Sequence, residues 1–216
     1  MKRQHWIRPW LVAALCAAAG ASQAALVTYS TQEAFLAAVT SFGVDSFDDL
    51  STQDPSSSPM SRSAGSYAYT AKASNLDFYG VGSGSDVWLS TDLFSDTITF
   101  GGFAASVSAI GGFFFGSNAF DELPGQDIKL EASNGEDSAS FTLKVTGTQT
   151  FFGFVSDRSL LSLTVSAVQS DFVTVWPTVN NLTLAAARSG PTVPEPASLA
   201  LAALGLALGL GLRRRS

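Results

Sequence analysis

The sequence predicts a mainly β protein: an antiparallel β-sandwich or jelly roll with one short N-terminal helix, flanked by an N-terminal signal helix and a C-terminal transmembrane helix. Three observations carry this prediction. Six short segments after residue 96 alternate apolar with polar residues, the period of a strand with one face on a core and one in water. All sixteen Phe and all four Tyr lie between residues 25 and 190, and only 14% of the chain is charged, a composition that favours packed strands. Uncharged apolar runs stand near both ends, outside that aromatic-rich middle.

Residues 1–24 carry Lys2, Arg3 and Arg8, then an apolar run from Leu11 to Ala19, then small residues ending Ser22-Gln23-Ala24. This is the three-part pattern of a secretory signal peptide, with cleavage expected after Ala24. Cys16 does not read as a lipoprotein cysteine, because the bulky Leu15 precedes it where a small residue is needed.

Residues 25–190 form one exported domain. Its single helix is predicted from the capping-box form Ser30-Thr-Gln-Glu33, from Phe35, Leu36 and Val39 at helical spacing, and from Gly43 as a left-handed terminator. Residues 51–66, with Asp54-Pro-Ser-Ser-Ser-Pro59, read as a surface loop. Gly80-Val-Gly-Ser-Gly84 leads into the strand-like Asp86-Val-Trp-Leu and has no helix N-terminus to receive phosphate, so it reads as a flexible turn.

The alternating strands are Thr97–Phe100, Ser106–Ile110, Asp127–Glu131, Ser140–Val145, Leu161–Val165 and Asn181–Leu184. Gly101-Gly102, Pro124-Gly125, Asn134-Gly135 and Gly147 supply turns between them. Gly111-Gly-Phe-Phe-Phe-Gly116 and Phe151-Phe-Gly-Phe-Val155 are continuously apolar, which predicts interior strands whose glycines let the facing sheet approach closely.

After the domain come the Pro-rich linker 191–196, the uncharged stretch 197–212 and the basic tail 213–216. Sixteen residues at 1.5 Å per residue make a helix of roughly 24 Å, close to the hydrocarbon thickness of a bilayer. Arg213, Arg214 and Arg215 are expected to remain cytoplasmic by the positive-inside rule, which together with the N-terminal signal places residues 25–190 on the far side of the inner membrane.

The inventory of side chains excludes much chemistry. The only His and the only Cys are His5 and Cys16, both in the signal segment. A mature chain without imidazole or thiol cannot be a His-dependent Ser or Cys hydrolase, a His or Cys zinc protein, or a haem protein ligated by either. Residues 25–190 hold six basic and seventeen acidic side chains, a charge of −11 that repels phosphate backbones, so no nucleic-acid partner is expected. Carboxylates remain as general acids and bases, yet the spacing of Asp86, Asp92, Asp96, Asp121 and Glu122 selects no catalytic pair. An enzyme is not expected.

Two binding chemistries suit what is left. Acidic oxygen ligands near turns, Asp45, Asp48 and Asp49 or Asp121, Glu122 and Asp127, offer a structural calcium site, although neither set has EF-hand spacing. No other cofactor is expected. Aromatic platforms stack on sugar rings, and Trp88 and Trp176 are the candidate glycan contacts, with Tyr67, Tyr69 and Tyr79 beside them. Trp176-Pro177 reads as an edge or loop, since proline limits strand pairing. Asn181-Leu-Thr183 fits the minimal glycosylation sequon, but Val179 stands where bacterial transfer favours an acid.

The order Val193-Pro194-Glu195-Pro196, short apolar helix, Arg213-Arg214-Arg215 resembles the PEP-CTERM sorting signal of Gram-negative bacteria. The resemblance implies processing by an exosortase, a membrane-embedded cysteine transpeptidase-like enzyme, with Pro194, Glu195, Pro196 and the three arginines serving sorting. Phe47-Asp48-Asp49-Leu50, Val107–Phe113, Phe152–Val155 and Asn180-Asn181-Leu-Thr183 are in turn similar to motifs of the jelly-roll ectodomains often carried by PEP-CTERM proteins. Those ectodomains commonly have Asp-Asn where this chain has Asn180-Asn181. The family association with exopolysaccharide implies a structural or adhesive surface component of a biofilm or matrix, with extracellular polysaccharide as a partner. A carbohydrate-binding module and a His-independent carbohydrate-active enzyme are the alternatives.

Overall fold

The computed structural model describes residues 26–118, 126–171 and 173–188. The signal segment, the Pro-rich linker, the apolar stretch 197–212 and the basic tail lie outside the described residues, and so do Asp121 and Glu122. Among the described residues no helix is long and apolar enough to cross a membrane.

In chain order the elements are β1 (Val27–Tyr29), α1 (Gln32–Ala37), β2 (Val39–Asp45), β3 (Met60–Ala64), β4 (Tyr67–Ala73), β5 (Phe78–Ser83) and β6 (Asp86–Thr91). There follow β7 (Thr97–Gly101), β8 (Ala109–Ser117), β9 (Ile128–Ser133), β10 (Ser138–Leu143), β11 (Phe151–Val155), β12 (Ser162–Ala167) and β13 (Trp176–Ala187). They pair antiparallel into two sheets. The first runs β1-β11-β8-β13-β6-β5, with β2 also on β13, and the second runs β10-β9-β12-β7-β4-β3. The predicted sandwich is the observed architecture.

Alternation explains the core. Ile110, Phe114, Phe152, Phe154 and Leu89 from the first sheet meet Ile98, Phe100, Leu130, Leu163 and Val165 from the second, all buried in one cluster. The two continuous apolar runs are neighbouring interior strands, Phe151 opposite Phe113 and Val155 opposite Ala109. They are apolar on both faces because a second, smaller core lies outside the first sheet, where Phe35, Val39, Ala109, Phe151, Val155 and Ala185 pack together.

That outer core corrects the expected role of the glycines. A Cβ at Gly153 would stand 2.5 Å from Cδ2 of Phe35, so the missing side chain admits the ring of α1 and not the facing sheet. The helix is also shorter than predicted. Thr31, one residue after Ser30, is the N-cap and accepts from the Ala34 N–H at 3.3 Å, and the helix stops at Ala37. Val39 and Gly43 belong to β2, where a Cβ at Gly43 would fall 2.0 Å from the Ala64 carbonyl oxygen. Gly43 is thus a close-approach residue between the sheets and not a helix terminator.

Three further expectations change. The loop read over 51–66 ends in strand β3, and Gly80-Val-Gly-Ser is strand β5, turning into β6 after Gly84. The strand read from Ser106 begins at Ala109. Trp176-Pro177 opens β13, an interior strand, but these two residues pair only with β8, since the β6 side is joined at Val179. Its proline sits at the start of the strand, before pairing on the β6 side begins, where a missing N–H is tolerated.

β13 carries one irregularity that sets the faces of the molecule. Asn181 has φ 51, and the register with β8 slips between Asn180 and Thr183. Before this bulge Val179 points into the core and Trp176, Thr178 and Asn180 point out; after it Leu182 and Leu184 point in and Thr183 and Ala185 point out.

Candidate functional site

Two polar regions stand apart from the cores. The first is the acidic turn after β2. Arg62 on β3 makes a forked pair with Asp45, Nε to Oδ2 at 2.7 Å and Nη2 to Oδ1 at 2.6 Å, and a second with Asp49 at 3.0 and 2.7 Å. Its guanidinium lies 5.2 Å from the Phe47 ring centroid. Tyr69 donates to Asp45 Oδ2 at 2.6 Å, and the Phe47 N–H donates to Oδ1 at 3.2 Å, while Phe47 itself takes the left-handed conformation at φ 65. Asp48 accepts from the Val87 N–H at 3.1 Å.

The electrostatics follow from these contacts. The hydrogen bond and charge of Asp45 hold the Arg62 proton more firmly than usual despite burial. Burial, then the charge of Asp45 and the bond donated to it, push the Tyr69 phenol up. The Arg62 hydrogen bond holds Asp49 below the usual carboxylate range. The oxygens offered by the sequence as a calcium turn therefore face an arginine, a phenol and backbone N–H groups. In the other acidic set, Asp127 pairs with Lys144. Among the described residues no group of three or more His, Cys, Asp or Glu side chains is arranged to hold a metal.

The second region is a cavity of about 450 Å³ at the end of the first sheet where β6 and β8 finish and β13 begins. Its volume lies within the roughly 300–1,000 Å³ of small-ligand sites. Trp176, Tyr79, Ser90, Thr91, Asp92 and Ser117 line it, with Thr52 and Gly80-Val81. The alternation of four adjacent strands brings Tyr79, Ser90, Ser117 and Trp176 to one outer face, since Tyr79 pairs with Ser90 and Trp176 with Ser117. Beneath the cavity a hydroxyl chain runs from Ser117 to Thr178 at 2.7 Å and from Thr178 to Ser90 at 3.4 Å, and Ser90 donates to the Pro177 carbonyl at 3.1 Å.

The rim is braced. The Trp176 indole N–H donates to the Asp92 carbonyl at 3.1 Å, and its ring meets Phe94 edge-on at 5.9 Å. The Gln169 amide donates to the Phe94 and Val175 carbonyls at 3.1 and 2.6 Å. Asp96 accepts from the Ser74 hydroxyl at 3.0 Å and the Leu76 N–H at 3.1 Å, and also from Asn75. Burial pushes its carboxyl up, and these hydrogen bonds more than offset that, leaving it below the usual range.

Of the aromatic candidates, Trp176 and Tyr79 line the cavity and the others do not. Trp88 packs edge-on against Phe115 with centroids 4.9 Å apart, and its buried Nε1 has no partner. Asn180, which follows the residue paired with Leu89, donates to Asp86 at 2.9 Å while its buried Oδ1 is also unpartnered. Tyr67 donates to the Ser41 carbonyl and Tyr69 to Asp45. In the sequon, Thr183 is buried and donates to the Asn181 carbonyl. The sorting residues Pro194, Glu195, Pro196 and Arg213–Arg215 lie outside the described residues. The hydroxyls of Ser90, Ser117 and Thr178 escaped the sequence reading because outward Ser and Thr on a strand look like ordinary solvent-facing residues.

Comparison with known proteins identifies one segment. Residues 192–215 match the PEP-CTERM protein-sorting motif, which implies an exported protein of a Gram-negative bacterium sorted by an exosortase. Among solved structures, the chain is similar to the N-terminal CBM22-1-CBM22-2 tandem domain from Paenibacillus barcinonensis Xyn10C at 16% identity and a TM-score of 0.31. That similarity covers 71% of this chain and 47% of the other, so the chain spans about half the length of that structure. No curated protein matches the chain.

Proposed function

We propose that this exported protein is a non-catalytic surface component, structural or adhesive, of an extracellular polysaccharide matrix or biofilm. The observation that carries the reading is the sorting motif at 192–215, which follows within a few residues of the last strand of the sandwich. In this reading residues 1–24 direct export, 197–212 hold a precursor in the inner membrane, and Arg213–Arg215 stay cytoplasmic. The exosortase then reads Pro194, Glu195 and Pro196. A passive ectodomain is supported by its carboxylates, several of which are committed to ion pairs: Asp45 and Asp49 with Arg62, Glu131 with Lys129, Glu136 with Arg158. Deleting Pro194–Pro196 tests the reading: intact-mass analysis should show loss of the processed C-terminus and retention in the inner membrane. Unchanged processing overturns it.

A second reading, a carbohydrate-binding module, is favoured by one observation: Trp176 and Tyr79 line the same cavity with hydroxyl groups around them.

A further inference from the structure

We infer that the Trp176 cavity binds neutral sugar residues and that the fold carries it at the pole opposite the C-terminal tether, facing away from the membrane that holds the precursor. The ligand chemistry deepens the carbohydrate-binding reading, and the direction rests on the proposed C-terminal tether.

Ligand class follows from the lining. The Thr52 and Tyr79 hydroxyls can give and take hydrogen bonds, while the buried hydroxyls of Ser90, Thr91 and Ser117, already bonded within the protein, make the floor polar. The charged group at the rim is the exposed carboxylate of Asp92, and the cavity-lining residues include no Lys, Arg or His. With a surrounding domain at −11, phosphates and uronic acids are repelled. A wholly apolar ligand would strip water from the hydroxyls without replacing it. A neutral pyranose has what remains, an apolar C–H face for an aromatic ring and a rim of hydroxyls. The indole of Trp176 is already held by Asp92 and Phe94, so little side-chain freedom is lost on binding.

Direction follows from topology. Val27 pairs with Val155, Val155 with Ala109 and Ala109 with Ala185, so the chain enters and leaves the sandwich at one pole. β13 runs from Trp176 to Ala187, and at about 3.3 Å per residue the indole stands roughly 35 Å from the start of the tether.

The test titrates the full chain, purified in detergent, with oligosaccharides of neutral glucan, mannan and galactan and with an oligouronate. At least one neutral glycan should bind, and Trp176→Ala and Tyr79→Ala should each weaken it at least tenfold. Trp88→Phe should leave it within twofold. Circular dichroism and thermal melting check that each variant is folded, and Tyr79, half-exposed on an outer strand, is the substitution that spares the fold if Trp176→Ala does not. No neutral binding, preference for the oligouronate, or binding indifferent to both substitutions overturns the ligand assignment. For direction, Ser95→Cys at the cavity pole and Thr40→Cys near the tether are labelled on spheroplasts that carry the unprocessed, Pro194–Pro196-deleted precursor, with a bulky maleimide that does not cross the inner membrane. Ser95→Cys should label several-fold faster, and equal or reversed rates overturn the orientation. The binding readout does not depend on processing of the C-terminus, so a failed sorting result and a failed binding result are told apart.

Discussion

The outer face of the first sheet is treated in two ways. Over β1, β11 and β8 it is covered: α1 lays Phe35 on Gly153, with Phe151 and Tyr29 against the ring at 5.6 and 6.2 Å. Over β13, β6 and β5 it bears Trp176, Thr178, Ser90 and Tyr79 and opens into the cavity. One sheet thus uses glycine and phenylalanine where it must seal a helix, and hydroxyls with anchored aromatics where it stays open. The difference shows that burial on this face is local, decided strand by strand, and that in the open half the buried hydroxyls satisfy one another beneath two cavity-lining aromatics.

The largest break in the covered half should come from Phe35→Ala, which removes a fully buried ring from the small core. A loss of about 3–5 kcal/mol in urea unfolding is expected. A change below about 1 kcal/mol would mean that α1 does not dock there. Gly153→Ala should cost less, about 1–3 kcal/mol, because its Cβ meets Phe35 at 2.5 Å. The double variant should cost less than the sum of the two, and strict additivity would show that the glycine has another role.

The smallest effect concerns two carboxylates, Asp96 at the rim of the open half and Asp49 in the acidic turn, and appears only in acid. Asp96 and Asp49 both have native pKa values below the unfolded one of about 3.9. Their stabilisation is complete above that value and is lost as pH falls through the lower native values. Thermal midpoints should therefore be flat down to about pH 4 and fall below it, with a shallower fall in Asp96→Asn. An unchanged acid slope in that variant would assign the fall to other carboxylates.

The legible parts of the fold were those with strong alternation or unbroken apolar runs, β7 to β12. Strands β1 to β5 were hidden for physical reasons: they are short or peripheral, and β3 is rich in serine. Gly43 was misread because a helix terminator and a close contact between sheets both demand a missing Cβ. The acidic turn was legible as Asp45, Asp48 and Asp49, but Arg62 comes from the other sheet, and no local spacing announces it. In the cavity, Trp176 and Tyr79 were visible as aromatics and the hydroxyls were not. The bulge at Asn181 also split β13 into two alternation frames, so only its second half was read as a strand.

β13 also has a mechanical consequence. It carries the cavity at one end and leads toward the tether at the other, with β8 along one side and β6 and then β2 along the other. If the cavity holds a fixed strand of polysaccharide while the cell is dragged by flow, tension runs along this strand. Its ladder hydrogen bonds are then loaded in shear and share the force, whereas a strand pulled from the sheet crosswise gives them up one at a time. A molecule strung in this way would act as a short inextensible link whose strength is set by the middle of the sheet and not by its edges.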